Sequence, residues 1–134
     1  MKNKFLKILS FIFCLLQSSN IIANELDIKA NQVKLNKDNR IIQAEGNVQI
    51  TDIKKNIIFA EKAEYDKNNE LMRSFGETDI ITSEKFRIQG KNIFYDNKKG
   101  IIYSTSETII TDINGNQVYV NMFDYSTSKK MFFS

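Results

Sequence analysis

Ile58-Phe59-Ala60-Glu61-Lys62-Ala63-Glu64-Tyr65-Asp66 is answered thirty residues later by Ile88-Gln89-Gly90-Lys91-Asn92-Ile93-Phe94-Tyr95-Asp96. The same step runs through the rest of the chain. It links Ile28, Ile58, Ile88 and Val118; Val33, Ala63, Ile93 and Phe123; and Leu35, Tyr65, Tyr95 and Tyr125. Ile41, Leu71, Ile101 and Met131 keep it, as do Ile50, Ile80 and Ile110. Polar punctuation follows, with Asn36, Asp66 and Asp96 in one register and Gly46 recurring at Gly76. So many coincident positions without a gap define a repeat. Three full units span 28–57, 58–87 and 88–117, and a fourth begins at Val118.

Within each unit the apolar period is two, the signature of strands. Ile28 and Ala30 share a face, then Val33 and Leu35 share one, with an odd step between them. The switch recurs between Ala60 and Ala63 and between Gly90 and Ile93, so an extra residue bends the strand there, as a bulge or corner does. Asn36-Lys37-Asp38-Asn39, Asp66-Lys67-Asn68-Asn69 and Asp96-Asn97-Lys98-Lys99-Gly100 supply turns, because Asn, Asp and Gly accept left-handed backbone. The returning strand alternates as Ile42, Ala44, Gly46, Val48 and Ile50, and again as Ile102, Ser104, Ser106, Thr108 and Ile110. Turns at 52–56 and 112–116 lead into the next unit. Proline is absent, which suits unbroken ladders. The helical propensity of Ala60 to Tyr65 is not shared by its repeat partners, so the pairing context overrides it. The fold expected is all-β, built from repeated bent strand pairs with a period of thirty residues.

The N-terminus sets the compartment. Lys2, Lys4 and Lys7 precede a run from Ile8 to Leu16 that is apolar except for Ser10, and a polar stretch then leads to Ala23. This is the order of a secretory signal peptide, expected to cover residues 1–23, with residues 24–134 as the exported domain. An uncleaved N-terminal anchor is the alternative, although the apolar run is short of the roughly 20 residues that span a bilayer. Cys14, the only cysteine, lies inside that run after Phe13, where a lipoprotein site would want a small residue. The exported part therefore relies on strand pairing and apolar burial, without disulfides.

Charge and composition narrow the chemistry. The chain has 19 Lys and Arg against 16 Asp and Glu; without Lys2, Lys4 and Lys7 the two are equal. A nearly neutral domain offers no phosphate-tracking surface, so no nucleic-acid partner is expected. The chain has no His, and its lone Cys lies in the expected leader, which removes His- or Cys-based catalytic arrangements and the usual ligands of a zinc site. The glycines are dispersed singly and form no phosphate loop. Carboxylate pairs such as Glu61 with Glu64, or Asp112 with Asp124, are read as solvated strand-face charge rather than as glycosidic acid and base. No enzymatic activity and no cofactor or metal are expected. The regularly spaced tyrosines are read as core or cross-strand partners before sugar platforms.

Ala44-Glu45-Gly46-Asn47-Val48-Gln49-Ile50 and the stretch Ile58 to Asp66 resemble the tandem strands of the LptA/OstA-like N-terminal domain family. A looser copy lies in Ser74 to Ile80 and Ile88 to Asp96, so the resemblance covers Leu26 onward. That family includes periplasmic LptA and the periplasmic N-terminal domain of LptD. The resemblance implies an open twisted β-jellyroll in the periplasm, or at the periplasmic face of the outer membrane, whose apolar interior carries lipopolysaccharide by its lipid A acyl chains. It also implies other Lpt jellyroll proteins as partners, joined by strand-edge pairing, and an outer-membrane location if the chain is the front of an LptD-type protein. The apolar end Met131-Phe132-Phe133 fits either a strand that docks on a partner or such a longer protein. Each sheltered methylene would contribute roughly 0.8 kcal/mol.

Alternation nominates the lipid-facing positions: Ile28, Ala30, Val33, Ile42, Ala44, Val48 and Ile50, then Ile58, Ala60, Ala63, Ile80, Ile88, Ile93, Ile102 and Ile110. The rival reading is a structural β-repeat of the envelope, a fibre or adhesin segment that assembles without carrying lipid.

Overall fold

The computed structural model describes residues 26–133, and the expected leader lies outside the described residues. The described chain is a succession of antiparallel strands, β1 (Asp27–Lys29), β2 (Gln32–Asn36), β3 (Ile41–Thr51), β4 (Ile57–Asp66), β5 (Leu71–Ile81), β6 (Arg87–Lys91), β7 (Phe94–Asp96), β8 (Ile101–Ser104), β9 (Thr108–Thr111), β10 (Gln117–Val120), β11 (Phe123–Ser126) and β12 (Met131–Phe133). Every unit is a hairpin pair, and cross-strand partners such as Ile58 with Ile80 keep the apolar residues on one face.

Both strands of each pair bend. The first strands break or slip at the predicted odd step: β1 gives way to β2 at Asn31, β4 shifts register between Ala60 and Lys62, and β6 yields to β7 at Asn92. The alternation read straight through Gly46 conceals a second bend, because β3 slips between Glu45 and Val48. Gly46 and Asn47 both take positive φ there (79° and 48°), so the extra residue is absorbed without turning Val48 away from the core. Asn31 N–H donates to the Gly46 carbonyl at 2.8 Å, which ties adjacent corners together.

These corners fold the sheet into two facing layers. One holds β1, residues 48–51, 57–60 and 77–81, then β6, β9 and β10; the other holds β2, residues 41–45, 62–66 and 71–75, then β7, β8, β11 and β12. A single apolar cluster lies between them, drawing Ile50, Ile58, Ile80 and Ile88 from the first layer and Ala63, Met72, Tyr95, Ile102 and Tyr125 from the second. Among the described residues the barrel does not close: β1 and β2 pair only with β3 at one end, while β10 pairs only with β9 and β12 only with β11 at the other. The architecture is the open β-jellyroll.

Turn chemistry repeats with the unit. Arg40, Glu70, Gly100 and Lys130 all adopt positive φ, and the carbonyls of Arg40, Glu70 and Gly100 accept the N–H of Lys67, Asn97 and Thr127 at 2.8–3.1 Å. Each turn thus hydrogen-bonds to the one thirty residues away, so the units stack as a ladder rather than merely follow one another.

Candidate functional site

The slab between the layers is where the nominated positions converge. Ala44, Val48, Ile50, Ile58, Ala63, Ile80, Ile88, Ile93 and Ile102 are buried in it, and Ile28, Ala30, Ile42 and Ile110 pack half-buried against it. Ala60 sits half-buried at the corner, opposite Val48 and Thr78. Val33 is 51% exposed. Its partner across the ladder is Ala44, so it shares the interior face, but it stands on β2, the end strand among the described residues.

The two ends of the slab are apolar. At the N-terminal end Val33 and Leu35 are exposed. At the C-terminal end a cavity of about 450 Å³ opens between the layers, lined by Phe86, Ile110, Val118, Val120, Phe123 and Phe132, with exposed Met122 and Phe133 at its rim. Larger depressions, of about 590 and 670 Å³, are flanked by charge (Glu61, Glu77 and Asp79 in one, Lys91 and Glu107 in the other), surroundings that offer little to an apolar ligand. The apolar space belongs to the interior and its ends.

The lipid-facing set reached only Ile110 of this lining. Val118 and Phe123 stood in its repeat columns without being carried into the set, and Phe132, thirty residues after Ile102, was missed. Phe86 carried no such signal, since its counterparts are Asn56 and Asn116.

Opposite the corners, the layers meet along a seam of side chains. Tyr95 hydroxyl donates to Asp52 Oδ2 at 2.7 Å across the layers. The same carboxylate caps its own turn, accepting the N–H of Lys54 and Asn56 on Oδ1 and the Asn56 amide on Oδ2. Burial first, and then the Asp52 carboxylate, push the Tyr95 phenol well above its ordinary pKa, so it remains a donor. Farther along, Lys54 Nζ donates to Thr127 Oγ1 at 3.1 Å, Lys130 pairs with Glu84 at 2.6 Å, and the Phe86 and Phe132 rings meet edge-on at 5.3 Å. Asp112 holds the equivalent turn in the third unit; donation from the Asn116 amide, then from backbone N–H groups, keeps its carboxyl below the usual range. Among the described residues no cluster of Asp, Glu, His or Cys has the makings of a metal site.

A family model of LptC-related lipopolysaccharide-assembly proteins matches residues 12–115. The chain belongs to that family. No curated sequence matches it. Among solved structures, it is similar to LptH, the LptA-homologous periplasmic component of the lipopolysaccharide transport device of Pseudomonas aeruginosa. The TM-score is 0.66 at 15% identity, over 83% of this chain and 82% of that one, a likeness of fold. The LptA/OstA-like resemblance therefore led to the right group of jellyrolls; within it, the family model that matches is the LptC-related one. An LptC-related chain is a lipopolysaccharide-transport component, and the structural β-repeat alternative is not favoured.

Proposed function

We propose that this LptC-related chain shelters the acyl chains of lipopolysaccharide between its two layers and passes them on in the periplasm. It docks edge to edge with other jellyrolls of the same transport system and acts as a carrier, without catalysis. One observation carries the reading: a continuous apolar core opens into an apolar cavity at the C-terminal end and meets exposed Val33 and Leu35 at the N-terminal end, with strand edges at both that are unpaired among the described residues. A single enclosed binding pocket would not need the free edges. Strand addition at such edges joins backbone ladders and would align one slab with the next.

The test compares three exposed apolar positions, each replaced in turn by a photoreactive residue: Val33 and Val118 at the two ends, and Phe59 on the outer face. Cells making lipopolysaccharide are irradiated and the adducts counted. Capture at Val33 and Val118 well above Phe59 supports the reading. Equal capture at all three positions would mean that exposure of apolar surface, rather than the slab, recruits lipid.

A further inference from the structure

We propose that the seam is a clasp, and that lipid reaches the middle of the slab only when the seam opens while the corners act as hinges. The proposal rests on the lipid-carrying function above and specifies its route of entry. The midsection is full: Met72, Ile80, Ile88, Ile93 and Ile102 have no exposed surface and pack on one another. Close-packed interiors hold no space for an added acyl chain, so the layers must separate for one to enter.

Separation has one easy direction. On the corner side, β3, β4 and β5 run continuously from one layer into the other, and parting there would break covalent chain and ladder alike. Along the seam, among the described residues, the contacts that cross are made by side chains, among them Tyr95 to Asp52, Lys54 to Thr127, Lys130 to Glu84, Tyr125 to Thr82 and Ser83, and Phe86 to Phe132. Lys130 and Glu84 are both about half exposed, a setting in which ion pairs contribute little. In the same region the Tyr125 ring packs on Phe132, and the Tyr125 and Ser83 hydroxyls are buried beside each other. Opening would hydrate both. The hinge side is equally suited, because Gly46, Asn47, Gly76 and Asn92 hold positive φ at the corners, and a few such positions suffice to absorb a hinge rotation.

The experiment locks the clasp. Glu84→Cys and Lys130→Cys are combined in a Cys14→Ser background, and the exported chain is bridged by a short reducible thiol linker. A small aliphatic diazirine residue at Ile80 reports lipid in the midsection, and one at Val118 reports lipid at the end. The expected result is at least tenfold less lipopolysaccharide capture at Ile80 in the linked chain, restored by reduction, with capture at Val118 retained. Equal capture at Ile80 in linked and reduced chains overturns the clasp, since lipid would then enter through the ends. Capture at Val118 alone, linked or reduced, also overturns it, because the slab would stay shut. Capture at neither position in either state removes the carrier function itself, and the clasp with it.

Discussion

At the scale of single residues, the bends and turns depend on left-handed backbone, and the sequence meets that demand unevenly. Gly46 and Gly76 occupy equivalent corners with φ of 79° and 75°. A Cβ at Gly76 would meet nothing, whereas at Gly46 it would lie 2.7 Å from Asn31 Nδ2 and 2.9 Å from its Cβ. Gly76→Ala is expected to cost about 1–2 kcal/mol, the ordinary strain of an L-residue there, and Gly46→Ala measurably more. Urea unfolding of the two variants checks the order. The opposite change applies at the tips of the seam-side turns, where Lys55 and Lys85 stand at the position that Gly115 fills in the third unit, with φ of 73°, 67° and 86°. Lys85→Gly should raise stability by up to about 1 kcal/mol, strain relief outweighing the added freedom of the unfolded chain. A lower unfolding midpoint would show that the lysine side chain contributes something the geometry does not reveal.

Tyr95 gives the residue scale a pH dependence. Its phenol is held above the ordinary 10.0, chiefly by burial and then by Asp52, so the folded chain keeps a proton that the unfolded chain releases. The folded state then binds more protons above about pH 10, and stability falls as pH rises through that range. Below it the contribution is fully present. Tyr95→Phe should lose about 1–2 kcal/mol at neutral pH, from the missing hydrogen bond, and show a shallower alkaline decline. Parallel alkaline limbs would refute the assignment.

Among elements, the repeat determined how much could be read in advance. Strand periodicity, the bend between Ala60 and Ala63, and the polar turns were legible because each is a local pattern written three times. The bend at Gly46 was not, because a bulge that restores the facing of Val48 leaves the alternation of side chains intact. Nor was the seam: Asp52 reads as a turn residue and Tyr95 as a core residue, and 43 positions separate the two partners of that hydrogen bond. Val33 shows a further limit. It shares a repeat column with Ile93, yet burial depends on whether another unit covers the strand, and a single column cannot say where the stack ends. Truncation separates the two: Ile93→Ala, at a fully buried position, should cost about 2–5 kcal/mol, and Val33→Ala less than about 0.5 kcal/mol. Equal losses in chemical unfolding would mean that the N-terminal end is covered in solution.

For the whole molecule, the two ends differ. β2 offers Val33 and Leu35 beside Lys34, while β10 and β12 offer Val118 and Phe133 at an open cavity, with Tyr119 and Met131 also exposed. Dissimilar ends favour head-to-tail contacts, which extend a line instead of closing a symmetric pair. Each end should therefore fail independently. Val118→Asp with Phe133→Asp would bury unpaired charge in a C-terminal junction and should cut capture of a partner jellyroll there at least tenfold, while capture through β2 persists. Val33→Asp should do the reverse. Site-specific crosslinkers at Lys34 and at Ser128, read by the mass of the captured partner, distinguish the two junctions. If either lesion lowers capture at both sites equally, the ends are not separate docking surfaces, and the jellyroll works as an isolated vessel rather than as one segment of a continuous slab.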